Sequence, residues 1–247
     1  MVSFDVVGDI AIFQQDVSKR DAENLLKKLN NIKVVCKKIK KYSGKYRTPK
    51  LKVIAGEKRK ETEYKENNVR LKLDVEKCYF SPRLANERLR IAKLVKGNES
   101  VLVMFSGVGV YPLVIAKNSK PKIVYGIEIN PVAHKYALEN VKLNKIENVK
   151  LLKGDVRKIV PGLKEKFDRI LMPLPRGGES FLKLALKAAK KNTLVHFYDF
   201  LNEKEFNLAK EKIDTACGKR KHKILRLARC GQFGPRIYRV CVDFKRI

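Results

Sequence analysis

The sequence has 247 residues, 44% of them hydrophobic, so it is long and apolar enough to fold around one or two hydrophobic cores and is not disordered. Lys and Arg number 56 against 26 Asp and Glu, and the resulting charge of +30 favours a polyanionic partner such as nucleic acid. No apolar run approaches the ~18 residues of a membrane span and no signal peptide opens the chain, so we expect a cytoplasmic protein without a membrane partner.

Cysteine and histidine do not follow the spacing of a disulfide framework or a metal site. The five cysteines are odd in number without a C-x-x-C pair, and the three histidines are scattered. We therefore predict buried thiols and no metal. The residues concerned are Cys36, Cys78, Cys217, Cys230, Cys241, His134, His196 and His222.

The first 75 residues predict a small α+β domain. Residues 3–15 are patterned as a β-hairpin with Gly8 and Asp9 at its turn, and Asp16 or Ser18 can cap the helix that follows. The other elements predicted here are a helix over 19–30, a strand from Val34, and strands at 51–56 and 69–73 of one small antiparallel sheet.

Further along the chain, apolar runs alternate with segments of helical periodicity. Such alternation with short connections predicts an α/β fold with a mostly parallel, doubly wound sheet. Residues 223–228 and 236–244 are expected to form an antiparallel pair at its edge. Strands are predicted near 101–105, 123–127, 149–153, 168–172, 193–198 and 237–244, and helices near 85–95, 110–118, 131–144, 179–190 and 203–216.

The most informative segment joins two of these strands. The run over 101–105 leads into Gly107 and Gly109, and the run over 123–127 ends at Glu128. Glycines let the backbone approach a ligand at a helix N-terminus, and a carboxylate on the second strand can accept two ribose hydroxyls. The third glycine of the dinucleotide fingerprint is absent, so a ligand without a pyrophosphate, such as S-adenosylmethionine, fits better. A strand–turn–helix without any ligand is the alternative.

Six motifs are spread over most of the chain. They are 46–49 with 56–57, 73–88, 104–109, 127–131, 139–144 and 154–157. Together they resemble the archaeal and eukaryotic tRNA (guanine-N1-)-methyltransferases that act at position 37 of tRNA. The resemblance implies a Rossmann-like class I methyltransferase domain over 99–247, a junction motif and helix over 76–98, and the small α+β domain over 1–75.

The resemblance also implies how a methyl group reaches guanine. Because N1 of guanine carries a proton, a base must remove it and a donor must stabilise the charge that develops on O6. The family's proposed base falls on Glu87, and its O6-binding arginine falls on Arg47. Without the family, an ordinary helix salt bridge of Glu87 to Arg83 or Arg90 is favoured over a catalytic role.

Other site residues follow from the same resemblance. Tyr79 and Arg88 would position the flipped base and neighbouring phosphates, and Arg83 would contribute to the RNA-binding face. Gly107 and Gly109 would line the methionine side of the cofactor, Glu128 would hold the ribose, and Asp155 would face the adenine. The predicted cofactor-binding residues are Phe105, Gly107, Gly109, Glu128, Asp155 and Arg88.

The sequence departs from the family pattern in three places. Val103 stands where relatives usually carry aspartate. Pro173 replaces an asparagine, which makes the segment Pro173-Leu174-Pro175 similar to that of an archaeal branch that also methylates C7 of the wyosine precursor 4-demethylwyosine. We expect all three residues to contact the substrate. The chain starts directly with the small domain, so we expect no separate domain that grips the tRNA elbow.

Two other functions stay open. A sister family transfers the 3-amino-3-carboxypropyl group of the same cofactor to a wyosine precursor, although it typically lacks the intact Ser81-Pro82-Arg83-Leu84 motif. A non-catalytic RNA-binding protein with a decayed cofactor fold is the other alternative, and Val103 is the feature most in its favour. We expect a monomeric enzyme that binds S-adenosylmethionine and the anticodon loop of tRNA.

Overall fold

The computed structural model describes residues 3–247, which form thirteen strands and seven α-helices. The strands are β1 (Phe4–Val7), β2 (Ile10–Phe13), β3 (Val34–Ser43), β4 (Thr48–Gly56), β5 (Glu61–Glu66), β6 (Val69–Asp74), β7 (Ser100–Val103), β8 (Ile123–Glu128), β9 (Val149–Lys153), β10 (Phe167–Met172), β11 (Ala189–Asn202), β12 (His222–Gly234) and β13 (Ile237–Arg246). The helices are α1 (Lys19–Lys28), α2 (Ala85–Leu94), α3 (Val110–Asn118), α4 (Pro131–Leu143), α5 (Val156–Ile159), α6 (Leu182–Ala188) and α7 (Asn207–Cys217), with 3₁₀ turns at Pro82–Leu84, Val160–Gly162 and Gly178–Phe181.

The N-terminal part is a four-stranded sheet in the order β1-β2-β3-β4. β1 and β2 form the predicted hairpin, and β3 and β4 are also antiparallel. β2 and β3 run parallel, with α1 connecting them. Ser18 caps α1 by accepting the Asp21 N–H at 3.1 Å, which confirms one of the two predicted caps.

The antiparallel sheet predicted to join residues 51–56 with 69–73 is wrong. The first segment lies in β4, which pairs with β3, and the second lies in β6, which pairs with β5 in a separate hairpin. β5 reads Glu-Thr-Glu-Tyr-Lys-Glu, and only Thr62 and Glu66 of it are buried. Because its buried positions are polar, β5 has no apolar alternation by which a strand can be predicted.

Two asparagines, one on α4 and one directly after it, hold the β5–β6 hairpin against the larger domain. The Asn140 side chain accepts the Lys72 N–H at 2.7 Å and donates to the Lys72 carbonyl at 3.1 Å. Asn144 makes the same pair of bonds with Arg70, at 2.8 and 2.6 Å. Each amide thus satisfies one residue of β6 as a neighbouring strand would. The motif at 139–144 therefore connects the β5–β6 hairpin to the large domain.

The large sheet has seven strands in the order β12-β13-β11-β10-β7-β8-β9. β7 to β11 are parallel, and β13 is antiparallel to both β11 and β12. This confirms the doubly wound α/β sheet with an antiparallel pair at one edge. β7 is central, with β8 on one side and β10 on the other, so the winding reverses there. Ligands of such sheets bind at the carboxyl ends of the strands beside this reversal.

Helices cover both faces of the large sheet. One apolar layer lies under α2, α3 and α4, and the other lies under α5, α6 and α7. The helix predicted over 179–190 is shorter, because α6 ends at Ala188 and β11 begins at Ala189. β11 extends to Asn202, well beyond the predicted strand, because β13 pairs with it up to that residue. Across residues 3–247, no helix is long and apolar enough to cross a membrane.

Candidate active site

The loop after β7 turns the chain at the carboxyl edge of the sheet. The Ser106 N–H donates to the Ile127 carbonyl at 2.9 Å, which keeps the loop beside β8. Gly107 and Gly109 have φ angles of 57° and 85°, in the left-handed region that glycine adopts without strain. A Cβ on Gly109 would lie 3.2 Å from the Ala137 Cβ, so this glycine also permits the close approach of α4.

Glu128 closes this turn from the end of β8. Its two carboxylate oxygens accept the N–H groups of Gly107 and Asn130, each at 2.7 Å. Burial raises the pKa of the Glu128 carboxyl, and these two hydrogen bonds oppose that shift. Each oxygen keeps a second lone pair, so the carboxylate can also accept ribose hydroxyls.

Phe105 and Asp155, which were also predicted around the cofactor, lie at the same edge. Phe105 follows β7 and packs edge-on against Phe181, with ring centroids 5.1 Å apart. Asp155 follows β9 and caps α5 by accepting the Arg157 N–H at 2.9 Å. The Ser106 hydroxyl is buried and has no hydrogen-bond partner within the described chain. The edge thus contains a polar atom that a bound ligand can satisfy.

The junction motif passes directly over the glycine loop. The Asn130 side-chain amide donates to the Lys77 carbonyl at 2.8 Å. A Cβ on Gly107 would lie 3.8 Å from the Tyr79 carbonyl oxygen. The Tyr79 hydroxyl in turn accepts from Arg239 Nη2 at 2.9 Å. The motif predicted to bind the target base therefore lies beside the loop predicted to bind the methyl donor.

Arg47 approaches the large domain from the small one. It lies in the turn between β3 and β4, and its guanidinium donates to the Arg176 carbonyl, 129 residues away in sequence. Burial lowers the pKa of Arg47, but arginine still stays charged. Arg176 follows the proline segment at the end of β10, in which Pro175 is buried and Pro173 and Leu174 are half-buried. The fold thus brings Arg47 to the proline segment.

Glu87 lies on α2, is 6% exposed, and has its carboxylate held by two side chains. Oε1 accepts the Tyr198 hydroxyl at 2.6 Å and Arg90 Nη2 at 2.8 Å, and Oε2 accepts Arg90 Nε at 2.6 Å. Arg83 pairs with Asp5 instead, at 2.7 Å. The ion pair with Arg90 is one of the two helix salt bridges that the sequence suggested for a structural role of Glu87. Tyr198 is a partner that the sequence did not indicate.

Arg88 does not face a ligand, in contrast to its predicted contacts with cofactor and phosphates. Its side chain is 2% exposed. Nε donates to Glu66 at 2.5 Å, and Nη2 donates to Glu66 and to the Ser81 carbonyl. Breaking a buried ion pair of this kind costs about 3–5 kcal/mol. Arg88 therefore attaches the junction motif to the β5–β6 hairpin.

Val103 is the last residue of β7, at the position where aspartate was expected from the family pattern. Its side chain is fully buried in the apolar layer under α2 and α3. This position offers no polar group to a ligand. At the ends of β7 and β8, the groups that can bind a ligand are the Glu128 carboxylate and the backbone of the glycine loop.

Arg90 extends the contacts of Glu87 across the face of the sheet. Arg90 donates to Asp243 at 2.6 Å, Asp243 lies 2.6 Å from His196 Nδ1, and Arg169 lies 2.7 Å from His196 Nε2. Because arginine can only donate, Nε2 of His196 accepts and Nδ1 carries the proton. The ring is therefore neutral, in agreement with burial lowering the pKa of His196.

His196, Cys241 and Asp243 bring three potential metal-ligand atoms within 4.8 Å of one another, which their spacing in sequence did not predict. Both nitrogens of His196 already have partners, and Asp243 is paired with Arg90. The guanidinium groups on either side disfavour a further cation. We therefore assign this cluster to the buried hydrogen-bond network.

Comparison with known proteins agrees with the geometry. Residues 62–225 match the TRM5/TYW2 methyltransferase domain, and residues 1–59 match the TYW2 N-terminal domain. The chain is 39% identical to the tRNA (guanine(37)-N(1))-methyltransferase Trm5b of Pyrococcus abyssi, covering 98% of this chain and 74% of the relative. It is 37% identical to the tRNA (guanine(37)-N(1))/4-demethylwyosine(37)-methyltransferase Taw22 of Nanoarchaeum equitans, covering 98% and 99%. It is 32% identical to the tRNA(Phe) (4-demethylwyosine(37)-C(7)) aminocarboxypropyltransferase of Methanocaldococcus jannaschii, covering 99% and 98%.

Two solved structures share the fold over essentially the whole chain. The complex of aTrm5 and tRNALeu has a TM-score of 0.89 at 34% identity and covers 100% of this chain and 72% of that chain. M. jannaschii TYW2 in complex with AdoMet has a TM-score of 0.76 at 28% identity and covers 99% and 100%. The similarity therefore extends over both the small sheet and the large one.

Proposed function

Because this chain belongs to the TRM5/TYW2 methyltransferase family, we propose that it transfers the methyl group of S-adenosylmethionine to N1 of guanosine at position 37 of tRNA. The observation that supports this most directly is the course of the junction motif over the glycine loop, with Tyr79 beside Gly107. A target base held at Tyr79 would lie next to the methyl donor. Arg47 and the proline segment border the same edge of the sheet.

The residues at the carboxyl edge suit S-adenosylmethionine. Glu128 would accept the ribose hydroxyls, the loop with Gly107 and Gly109 would lie along the methionine part, and Asp155 would face the adenine. Phe105 would flank the pocket, and the unpartnered Ser106 hydroxyl would gain a partner. When bound, this cofactor supplies an electrophilic methyl group on a sulfonium.

The remaining chemistry belongs to the substrate side. Glu87 is our candidate for the base that takes the N1 proton, and its Oε2, with a single donor from Arg90, is the oxygen with room to accept it. The Arg47 guanidinium would stabilise the negative charge that moves to O6 as the proton leaves. Tyr79 would contact the target base, and Arg83, whose side chain is 62% exposed, would contact a phosphate.

Pro173 favours a second substrate for the same pocket. A proline has no side-chain donor, and its rigid apolar ring suits contact with a larger aromatic base. Taw22, one of the relatives, is named for both guanosine and 4-demethylwyosine. We therefore expect this chain to methylate C7 of 4-demethylwyosine as well, with Leu174 and Pro175 beside the third ring. In Pro173→Asn, the tricyclic activity should fall more than the guanosine activity, and an equal change in both would remove this role.

Aminocarboxypropyl transfer is the competing function, and the similarity to the M. jannaschii aminocarboxypropyltransferase supports it. The decisive experiment incubates the purified chain and S-adenosylmethionine with tRNA carrying either guanosine or 4-demethylwyosine at position 37. Mass spectrometry of the nucleosides then identifies the group added. Methylated products are expected from both substrates. Addition of the 3-amino-3-carboxypropyl group would replace the proposed reaction, and no product with either tRNA would favour a non-catalytic RNA-binding protein.

A further inference from the structure

A line of aromatic rings and arginines leads away from Tyr79 along the surface. Tyr42 meets Tyr79 edge-on at 5.1 Å, and Phe200 and Phe233 stack at a tilt of 40° with centroids 4.3 Å apart. Arg239 joins the two pairs, because it donates to the Tyr79 hydroxyl and lies 5.0 Å from the centre of the Phe200 ring. We call these residues, together with Arg176, the aromatic ladder.

Arg176 connects the far end of the ladder to the proline segment. Its guanidinium lies 5.1 Å from the Phe233 ring centre and 5.8 Å from the Phe200 ring centre. Its backbone carbonyl accepts the side chain of Arg47. The ladder therefore begins at the residues proposed to hold the target base and ends on β12, near the turn into β13.

The outer rings of the ladder are open to solvent. Phe233 is 54% exposed and Tyr42 is 44% exposed. Exposing a phenylalanine ring to this extent has no benefit for folding, since burying an apolar ring is favourable. The Arg176 guanidinium lies over Phe233, and Arg176 and Arg239 both lie over its stacking partner Phe200. Exposed aromatic rings beside guanidinium groups suit a binding surface.

The charges beside these rings are available to an anion. Across residues 3–247, no carboxylate forms a salt bridge with Arg176 or Arg239. Arg239 Nε is also buried without a hydrogen-bond partner among the described residues. Aromatic faces flanked by unpaired guanidinium groups match single-stranded RNA, whose bases stack on rings and whose phosphates bind arginine.

We infer that the aromatic ladder binds an unpaired nucleotide adjacent to the target base, with its base stacked on Phe233 and its phosphate bound by Arg176 or Arg239. This inference rests on the proposed function, because it takes the target base to lie at Tyr79. The net charge of +30 favours RNA as the occupant over an apolar protein partner.

The test uses tRNA transcripts with 2-aminopurine at position 36 or position 38, the two neighbours of the target. Stacking on a ring quenches this probe, so wild-type protein should quench it at one of these positions. Phe233→Ala should abolish the quenching and weaken tRNA affinity about 5- to 150-fold, the range of one base–aromatic stack. Phe233→Tyr should keep both. Leu225→Ala is the matched control, because Leu225 lies on the same strand and is 49% exposed.

The outcomes separate this inference from the proposed function. Quenching by wild-type protein that is lost in Phe233→Ala supports the ladder, even where no methylated product forms. Unchanged quenching and unchanged tRNA affinity in Phe233→Ala overturn it, even where methylation is normal. Concentration-dependent self-association of the wild type that Phe233→Ala removes, with tRNA affinity intact, would also overturn it in favour of a protein interface.

Discussion

At the scale of single residues, Glu128 is held in position before any ligand arrives. The Gly107 and Asn130 N–H groups fix both oxygens of its carboxylate. Because the Glu128 side chain is already ordered in this way, little of its conformational entropy is lost when a ligand donates to it.

Glu128→Ala should therefore weaken S-adenosylmethionine binding by about 1.5–3 kcal/mol, the range for hydrogen bonds to a charged group. Titration calorimetry measures this directly. Glu165→Ala serves as control, because Glu165 is exposed and only accepts the Tyr125 hydroxyl. Unchanged affinity in Glu128→Ala would remove Glu128 from the cofactor site.

Glu87 carries the sharpest expectation about catalysis. Glu87→Gln keeps the size of the side chain but removes its ability to take a proton. Methylation of guanosine should fall by roughly 10²–10⁴-fold, the usual share of general acid–base catalysis. Binding of S-adenosylmethionine should stay close to that of the wild type, because Glu87 bonds to Tyr198 and Arg90 and not to the residues expected to hold the cofactor. N1 methylation that continues at the wild-type rate would show that Glu87 is only the structural partner of Arg90.

Tyr198 offers a way to separate these two roles of Glu87. Burial raises the pKa of Tyr198, so its hydroxyl stays protonated and donates to Glu87. In Tyr198→Phe the Glu87 carboxylate loses this donor and is held by Arg90 alone, so kcat should fall about tenfold while the KM for tRNA stays close to that of the wild type.

Tyr111→Phe is the matched control for that experiment. Tyr111 is a buried tyrosine that donates to the Tyr198 hydroxyl at 3.0 Å and makes no hydrogen bond to Glu87. Removal of its hydroxyl should leave kcat close to that of the wild type. A kcat that falls equally in both variants would indicate a general loss of packing around the two rings.

At the scale of elements, a buried polar network joins α2 to three strands. Arg90 on α2, Asp243 on β13, His196 on β11 and Arg169 on β10 form one chain of hydrogen bonds. Burial would raise the pKa of Asp243, but the bonds from His196 and Arg90 outweigh it and hold the pKa below its usual value. Such a network fixes the orientation of α2 and with it the position of Glu87.

This network should make stability sensitive to mild acid. Burial lowers the pKa of His196 below its ordinary value of 6.5, so at lower pH the unfolded chain binds a proton that the folded chain does not. The stability that the neutral His196 contributes is complete above about pH 6.5. It is lost as the pH falls toward the pKa of His196 in the folded protein. The free energy of unfolding should decline by up to about 1.4 kcal/mol per pH unit in that range.

Urea unfolding at a series of pH values measures this slope. Burial also lowers the pKa of His134, so the comparison is best made in a His134→Gln background. His196→Asn keeps a donor for Asp243 but cannot take up a proton, and it should remove most of the remaining slope. An undiminished slope in that variant would assign the acid sensitivity to other groups.

At the scale of the whole molecule, the charge of +30 is the dominant property. Arg176 and Arg229 are exposed on the large domain, Arg83 is exposed in the junction motif, and Lys50 and Lys52 are exposed on the small domain. Positive charge therefore occurs on both parts of the chain that border the candidate site. RNA affinity from such a surface comes largely from release of counterions.

The affinity for tRNA should consequently fall steeply with salt. A footprint of about 6–10 phosphates would lose roughly 10³–10⁵ in affinity between about 50 and 200 mM salt. Filter binding or fluorescence anisotropy over that range gives the slope of log affinity against log salt. A flat plot would mean that the excess of lysine and arginine serves solubility rather than RNA binding.

The sequence by itself determined those features that depend on neighbours along the chain. The run into Gly107, the helix after Gly109 and the strand ending at Glu128 were predicted because propensity, turn chemistry and spacing all act within a few residues. The doubly wound sheet with its antiparallel edge followed from the same alternation of strands and helices, and the structure confirms it.

Only the tertiary structure decided which distant residues meet. β5 found its partner in β6, and the hairpin that they form is held on α4 through polar contacts of β6 that leave no periodic signal. Arg88 became a buried partner of Glu66, and Glu87 gained Tyr198. Such contacts depend on how helices and sheets pack, and side chains far apart in sequence meet only after that packing has been chosen. The contact of Glu87 with Tyr198 and the aromatic ladder were therefore beyond what spacing in the sequence could predict, whereas the i,i+3 pair of Glu87 with Arg90 was within it.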